Sequence, residues 1–273
     1  MQQVAVVIPV YKAELDNDEA VSLRQTFRVL RSYPMILVCP NGLDISEYDR
    51  LAVSENAELL VEGFESRFFE GISGYNRMLL TEGFYQRFSG FEYILICQPD
   101  AYVFRDELGQ WCARGYDFIG APLFGRFEDT EFHYDMSRVG NGGLSLRKTK
   151  TFLDFFKGRK LVFKTGDVAN RICFRRKPYT RWLVWVLMAL GWRNTPKAVA
   201  RRWKYNEDDF WSGLLDGSNY ELRKPKVDEA LGFAFERFPS ECFEITGKLP
   251  FGCHAWRKYQ YEEFWCRSIR ISE

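Results

Sequence analysis

The sequence predicts an α/β fold in which helices sandwich a mostly parallel, mixed sheet. Residues 4–8 and 35–39 are continuous apolar runs rather than alternating ones, which is typical of strands buried on both faces. Between them, residues 19–33 place Leu23 and Phe27 on one helical face. Strands that alternate with helices in this way imply parallel pairing, with helices on both sides of the sheet.

Strands and helices continue to alternate as far as residue 100. We expect a short helix at 45–54, a third strand at 58–61, one long helix at 72–88 and a strand that ends at Asp100. Beyond it, a helix ends at 111–115, strands are expected at 116–120 and 143–147, and a helix at 149–156. We expect residues 1–273 to form one domain.

Composition and cysteine usage exclude several classes of protein. The 273 residues are 46% hydrophobic and 27% charged, which is typical of a globular chain and not of a disordered one. The seven Cys include no C-x-x-C pair, so zinc-ligand spacing is absent. The odd number of Cys and the lack of a signal-peptide pattern at the N-terminus lead us to expect reduced thiols and a cytoplasmic protein.

Residues 157–204 differ from the rest of the chain, and we interpret them as a basic, aromatic helical insertion. They contain fourteen Lys or Arg and one acid, Asp167. Within them, residues 182–192 are apolar and Trp-rich but too short to span a bilayer. A helix lying at a membrane surface and an ordinary core helix with solvated basic neighbours are both open interpretations; RNA binding is a third and weaker one.

Two segments are candidates for binding a phosphorylated ligand. Asp100, preceded by Gln98, closes an apolar strand, where a carboxylate can hold a metal–phosphate ligand or simply cap a turn. The second segment is Gly140-Asn-Gly-Gly143, whose glycines permit close backbone approach to a ligand or form a tight hairpin. It is neither a P-loop nor a G-x-G-x-x-G motif.

The candidates for proton transfer and for metal binding lie further along the chain. Glu207, Asp208 and Asp209 are adjacent, and their mutual repulsion favours a raised pKa in at least one of them. They also suit the first turn of a helix, which Asn206 would cap. His254 lies in a turn with nearby Gly and Pro and is either a ligand or structural; His133, in an acidic loop, is a weaker candidate.

With these segments in view, the chain resembles the GT-A glycosyltransferases. Residues 4–11 are similar to the opening strand of the large inverting family-2 transferases, and 74–77 followed by 93–100 are similar to their segment leading into the Asp-x-Asp motif. Gly142-Gly143 resembles the segment behind the donor sugar, and Glu207-Asp208 the pair that contains the catalytic base. The set Gln-Pro-Asp, Gly-Asn-Gly-Gly, Asn-Glu-Asp and Gly-Cys-His-Ala-Trp more closely resembles a bacterial family of unknown function found around surface-polysaccharide genes.

The resemblance implies a Rossmann-like GT-A fold and a glycosyltransferase of surface-polysaccharide synthesis, inverting at the anomeric centre. It implies a nucleotide diphosphate-sugar donor, UDP-linked, with Mg²⁺ or Mn²⁺ held by Asp100 and His254 and with Asp208 as the base. Asp209 is the reserve base, and Glu207 completes the catalytic group. The implied donor-binding residues are Pro9, Tyr11, Asn76, Arg77, Gln98, Asp100, Asn141, Gly142 and Gly143.

The chain departs from the family-2 pattern at two places. Gln98 occupies the first position of Asp-x-Asp, and Cys39-Pro-Asn41 replaces the acidic pair that holds the nucleotide base. The basic insertion suggests a glycan or polyprenyl diphosphate-linked acceptor at the inner face of the cytoplasmic membrane. We expect no nucleic acid among the partners. A retaining transferase and a non-catalytic sugar- or nucleic-acid-binding module are the alternatives. All of these expectations require the stretches around residues 100, 142, 208 and 254 to meet in one cleft.

Overall fold

The computed structural model describes residues 2–124, 138–164, 166 and 178–271. Its main sheet has six strands: β1 Gln2–Pro9, β2 Met35–Pro40, β3 Leu59–Phe64, β4 Phe91–Cys97, β6 Phe118–Gly120 and β9 Leu144–Lys148. Their order across the sheet is β3-β2-β1-β4-β9-β6. The β1/β2, β2/β3 and β1/β4 pairs are parallel, and β9 is antiparallel to both β4 and β6. The prediction of a mostly parallel, mixed sheet is confirmed.

Both faces of the main sheet are buried, as its continuous apolar strands predict. In β1, Val6 and Ile8 belong to one hydrophobic cluster, and Ala5 and Val7 belong to the cluster on the opposite face. The helices that enclose the sheet are α1 Asn17–Leu30, α2 Ser46–Ser54, α3 Gly71–Leu79, α4 Glu82–Arg87, α5 Leu108–Ala113 and α6 Thr149–Lys157. The sheet is therefore sandwiched by helices, as expected.

The single long helix expected at 72–88 is wrong, because the chain forms two helices there, α3 and α4. Thr81 separates them. Its hydroxyl accepts a hydrogen bond from the Phe84 backbone N–H (3.2 Å) and donates one to the Met78 carbonyl (2.7 Å). A threonine that caps the next helix ends the preceding one, even where the apolar spacing is continuous.

A second, three-stranded sheet carries the segment of His254 to the main sheet. It contains β5 Ala101–Val103, β10 Ala234–Phe235 and β11 Gly252–His254, in the order β10-β11-β5. β11 pairs antiparallel with β5, with His254 opposite Ala101. A two-stranded sheet joins β7 Pro122–Leu123 to β8 Arg138–Val139.

The later helices complete the fold and include part of the basic segment. They are α7 Pro178–Ala189, α8 Pro196–Arg202, α9 Glu207–Asp209, α10 Val227–Phe233 and α11 Pro239–Thr246, and α9 continues as a π-helical turn at Phe210–Leu214. Near and within α7, Trp182, Leu183 and Leu190 are exposed while Val184 is buried. None of the described helices is long and apolar enough to cross a membrane. Residues 165 and 167–177 of this segment, and His133, lie outside the described residues.

Candidate active site

A cleft of about 540 Å³ opens at the carboxyl ends of β1 and β4. The chain runs outward from β1 to β2 and β3 and then returns to place β4 on the other side of β1. The carboxyl ends of two strands at such a reversal form the usual ligand crevice of an open α/β sheet. Pro9, the last residue of β1, and Tyr11, two residues beyond it, line one side of the cleft, and Gln98 and Asp100 line it from the turn after β4.

The turn after β4 is tied to two other segments through its backbone. The Gln98 N–H donates to the Gly143 carbonyl (2.9 Å), and the Ala255 N–H donates to the Asp100 carbonyl (3.1 Å). Together with the β5/β11 pairing, these bonds place the Asp100 carboxylate beside the His254 ring. Residues that are 154 positions apart in the sequence therefore meet at one edge of the sheet.

His254 has an oxygen atom next to each ring nitrogen. Its Nε2 lies 3.2 Å from Asp100 Oδ1 and 3.1 Å from Gln98 Oε1. Its Nδ1 lies 3.2 Å from Oε1 of Glu236, which directly follows β10. Burial acts to lower the pKa of His254, but the hydrogen bonds and charges of Asp100 and Glu236 raise it to about 10. Without another cation, the ring carries a positive charge between two carboxylates.

The glycines of the 140–143 segment lie between His254 and the acidic turn α9. A Cβ on Gly143 would overlap the His254 ring, and a Cβ on Gly142 would come within 2.6 Å of Glu207 Oε1. Asn141 is buried, and its side-chain oxygen accepts a hydrogen bond from the Gly143 N–H (3.0 Å). The absence of side chains at Gly142 and Gly143 is therefore what lets the two groups of functional residues approach each other.

This packing predicts that Gly143→Ala destabilises the protein through overpacking. We expect the free energy of unfolding to fall by about 1–3 kcal/mol. Gly90→Ala is the matched control: its Cβ would meet nothing within 4 Å, and its effect should stay within about 0.5 kcal/mol. Urea denaturation of both variants measures the difference, and equal stabilities would contradict the described contact.

Glu207 forms a buried, two-pronged ion pair with Arg147 of β9. Arg147 Nη2 lies 2.7 Å from Glu207 Oε1 and Nη1 lies 3.0 Å from Oε2. The same guanidinium donates to the Tyr85 hydroxyl and the Ser145 hydroxyl, both at 3.0 Å. Glu207 is only 2% exposed and Arg147 fully buried. This pair fixes α9 against the end of the main sheet.

The three adjacent acids have different partners. Glu207 pairs with Arg147, and Asp209 Oδ1 lies 3.3 Å from Arg138 Nη1. Asp208 has no cationic partner among the described residues, and it accepts hydrogen bonds only from the backbone N–H groups of Gly142 (3.3 Å) and Asp209 (2.7 Å). Burial, with the charge of Glu207, raises the pKa of Asp208 to about 7. Asp208 is thus the residue of this cluster whose pKa is raised, as the sequence led us to expect for at least one of the three acids.

Asn206 does stand at the N-cap position of α9, but its side chain does not cap the helix. Asn76 of α3 does so instead: its Oδ1 accepts a hydrogen bond from the Glu207 N–H (3.1 Å), and its Nδ2 donates to Asn206 Oδ1 (3.3 Å). Asn76 and Arg77 line a second groove rather than the cleft. These two residues therefore border the site from the other side of α3.

Sequence reasoning missed three residues that shape the site. Arg147 and Glu236 form ion pairs with predicted site residues, and Tyr75 lines the cleft with its hydroxyl buried and unpartnered among the described atoms. Only Arg147 had a usable signal. A lone Arg in an apolar strand next to Ser145 requires a buried acid, and Glu207 was available.

The chemistry of the donor atoms around His254 fits a hard divalent cation. Asp100 Oδ1 and Gln98 Oε1 converge on His254 Nε2, and Glu236 on Nδ1 fixes the ring orientation as an outer carboxylate does in metal sites. Carboxylate, amide oxygen and imidazole suit Mn²⁺ or Mg²⁺. The described residues contain no group of three or more His, Cys, Asp and Glu that would suffice alone. The remaining ligands would therefore come from water and a phosphate.

Comparison with known proteins identifies the family to which the chain belongs and the fold that it resembles. Residues 58–254 match the family model described as "Protein of unknown function (DUF5672)". No curated protein matches the sequence. The galactosyltransferase LgtC in complex with donor and acceptor sugar analogues superimposes with a TM-score of 0.50 at 11% identity, over 92% of this chain and 86% of LgtC. An active-site mutant of LgtC gives a TM-score of 0.50 at 13% identity, with the same coverage.

A longer glycosyltransferase, GlyE of Streptococcus pneumoniae TIGR4, is also similar in structure. Its apo form matches with a TM-score of 0.44 at 10% identity, over 93% of this chain. The chain spans only 54% of GlyE and 30% of TarS from S. aureus. The LgtC superposition, with the sheet order described above, identifies a GT-A-like glycosyltransferase fold.

Proposed function

Since this chain belongs to the DUF5672 family and has a GT-A-like fold, we propose that it is a glycosyltransferase. It moves a sugar from a nucleotide diphosphate-sugar donor to an acceptor hydroxyl. The observation that carries the proposal is the position of Asp208, which pairs with no cation of the described residues. It lies across the Gly142-Gly143 backbone from Asp100 and His254. A proton acceptor and a candidate diphosphate site thus share one edge of the sheet.

The donor occupies the cleft at the ends of β1 and β4, with the nucleotide towards Tyr11. Tyr11 lines the cleft and is 64% exposed, so its ring is available to stack on a base. The similar structure of LgtC, a galactosyltransferase in complex with donor and acceptor sugar analogues, supports a sugar donor here. We propose a UDP-sugar.

The charges that line the cleft explain why the donor needs a divalent cation. Asp16, Asp18, Glu19 and Asp100 line it, and Arg257 is the only cation among the described lining residues. Lys12 pairs with Asp16 and Glu19, and Arg257 pairs with Asp18, so the acids still outnumber the cations beside them. A diphosphate entering this acidic cleft alone is repelled. Asp100 and His254, with help from Gln98, would hold Mn²⁺ or Mg²⁺, and the ion would supply positive charge to offset the charge on the diphosphate leaving group.

Asp208 acts as the general base. The bond between the anomeric carbon and the diphosphate oxygen breaks, the acceptor oxygen forms a bond to the same carbon, and the acceptor proton moves to the Asp208 carboxylate. A pKa of about 7 suits a base that works near neutral pH. Asp209, which pairs with Arg138, is the reserve base. Glu207 is a positioning residue, because its carboxylate is held in the buried ion pair with Arg147.

Attack from the face opposite the leaving group inverts the anomeric centre. A retaining transferase on the same fold needs no such base, and a non-catalytic sugar-binding module transfers nothing. Proton NMR of the first product separates the three cases through the anomeric coupling constant. A product with the donor's own configuration would contradict inversion.

We also propose that residues 1–273 act as one catalytic domain, with 157–204 as an insertion. This insertion contacts an anionic membrane surface, and the enzyme works in bacterial surface-polysaccharide synthesis at the cytoplasmic face. The exposed Trp182 and Leu183, in a segment with fourteen Lys or Arg, support membrane contact. Trp182→Ser should weaken flotation with anionic vesicles; unchanged flotation would count against this contact.

A panel of nucleotide sugars tests the proposed function. Thermal shift is measured for each sugar with and without Mn²⁺. The cognate donor should raise the melting temperature by mass action, and more strongly with the metal present. If no nucleotide sugar shifts the transition under either condition, the non-catalytic alternative is favoured.

A further inference from the structure

A second groove, of about 760 Å³, lies between α3 and α8. Ile72 and Tyr75 of α3 line the cleft, whereas Ser73, Asn76 and Arg77 of the same helix line this groove. The two openings therefore flank a single helix.

The groove is strongly basic. Among the described residues that line it, the cations are Arg67, Arg77, Lys197, Arg201 and Lys204, and Glu82 is the only acid. Glu82 already pairs with Lys197 at 2.7 Å, and Arg67 pairs with Glu65 at 3.0 Å. Among the described residues, Arg77, Arg201 and Lys204 have no carboxylate within ion-pair distance. Three unpaired cations around one groove favour an anionic ligand.

The opposite charge of the two openings assigns them different ligands. The cleft is acidic and needs a metal ion before it accepts a diphosphate, whereas the groove attracts a phosphate without one. Metal dependence therefore distinguishes binding in the cleft from binding in the groove.

The wall of the groove leads directly to the proposed base. Trp203 lines the groove, and its Nε1 donates a hydrogen bond to the Asn206 carbonyl (2.7 Å). Asn76, also in the groove, contacts both Asn206 and the Glu207 N–H. Asp208 is the next residue along α9. The rings of Trp203 and Tyr205, the latter 63% exposed, offer flat surfaces for the apolar face of a sugar.

We propose that this groove binds the phosphate of a phosphorylated sugar, and that this sugar is the acceptor whose hydroxyl reaches Asp208. The inference rests on the proposed transferase function and specifies its acceptor class as a sugar phosphate or sugar diphosphate. Arg201 and Lys204 hold the phosphate, and Trp203 and Tyr205 pack against the sugar ring.

Calorimetry with glucose 1-phosphate and with inorganic pyrophosphate, both without Mn²⁺, tests the groove. We expect the wild type to bind both, with affinity falling as salt rises. Arg201→Gln/Lys204→Gln should weaken binding about tenfold or more, because two charge-assisted contacts are lost. Arg31→Gln/Arg267→Gln removes two exposed cations that do not line the groove and should have no effect. No binding by the wild type, or equal weakening in the control, overturns the proposal.

Two further measurements distinguish binding in the groove from binding in the cleft and from binding to a membrane. Asp100→Asn should still bind both probes without metal. If Asp100→Asn loses this binding while Arg201→Gln/Lys204→Gln retains it, the probes bind in the cleft and the proposal is overturned. Binding to vesicles containing phosphatidylglycerol is the second measurement. If the double variant loses vesicle binding but keeps glucose 1-phosphate binding, the cations bind lipid and the acceptor proposal is wrong. UDP binding with Mn²⁺, measured separately, tests the transferase function itself.

Discussion

Asp208→Asn should lower kcat by about 10²–10⁴-fold while leaving the Kd for the nucleotide sugar close to that of the wild type. The amide keeps the shape of the carboxylate, but its single oxygen can accept a hydrogen bond from only one of the Gly142 and Asp209 N–H groups, which bond to different oxygens of Asp208. It cannot take the acceptor proton. Steady-state rates of nucleoside diphosphate release, together with donor titrations, measure the two effects separately.

Two other variants make this result interpretable. Asp154→Asn, in an exposed ion pair with Lys150, should leave kcat unchanged. Asp209→Asn tests the reserve base, whose carboxylate is held by Arg138. A large loss in Asp209→Asn with near-normal turnover in Asp208→Asn would transfer the role of base to Asp209.

The pH dependence of kcat follows from the same carboxyl group. Burial and the charge of Glu207 raise the pKa of Asp208 to about 7, and only the ionised form accepts a proton. Turnover should therefore reach a plateau above pH 7 and fall about tenfold for each pH unit below it. Asp208→Asn should remove this limb, and an unchanged acidic limb in the variant would assign it to another group.

Arg147→Met should destabilise the protein by about 3–5 kcal/mol, because it leaves the Glu207 carboxylate buried without its cation. The Tyr85 hydroxyl would lose its hydrogen bond from the same guanidinium. Lys150→Met removes one partner of an exposed ion pair and should cost less than about 1 kcal/mol. Chemical denaturation of both variants gives the comparison.

A double variant separates the ion pair from simple loss of packing. Arg147→Met/Glu207→Gln has no unpaired buried charge, so it should recover part of the stability lost in Arg147→Met. If the double variant is less stable than Arg147→Met, the cost lies in cavity formation and not in the stranded carboxylate.

The part of the fold predicted correctly from the sequence is the part specified by local pattern. β1, β2 and β4 are continuous apolar runs, and they were correctly predicted as parallel strands because burial on both faces leaves no alternation to misinterpret. The break between α3 and α4 was missed because one hydroxyl, that of Thr81, decides it.

The candidate site residues that follow a continuous apolar strand could be predicted from the sequence. The residues that were missed are those whose role depends on a partner far away in the sequence. Asp100 could be placed at the cleft from the sequence because it lies in the turn that directly follows the apolar strand β4. Arg147 pairs with a residue 60 positions away, and Glu236 approaches His254 from a neighbouring strand. Such pairs depend on how the strands are arranged in the sheet, and a single sequence does not show which distant residues that arrangement brings together.

In the mechanism that we propose, Asp100, beside His254, holds a divalent cation for a nucleotide diphosphate in the cleft. Titration calorimetry of UDP in the presence and absence of Mn²⁺ tests it most directly, using the wild type, Asp100→Asn and the control Asp154→Asn. We predict Mn²⁺-dependent UDP binding in the wild type and the control, weakened about tenfold or more in Asp100→Asn. UDP affinity that is independent of Mn²⁺, or equal in all three proteins, would rule out a metal site at Asp100.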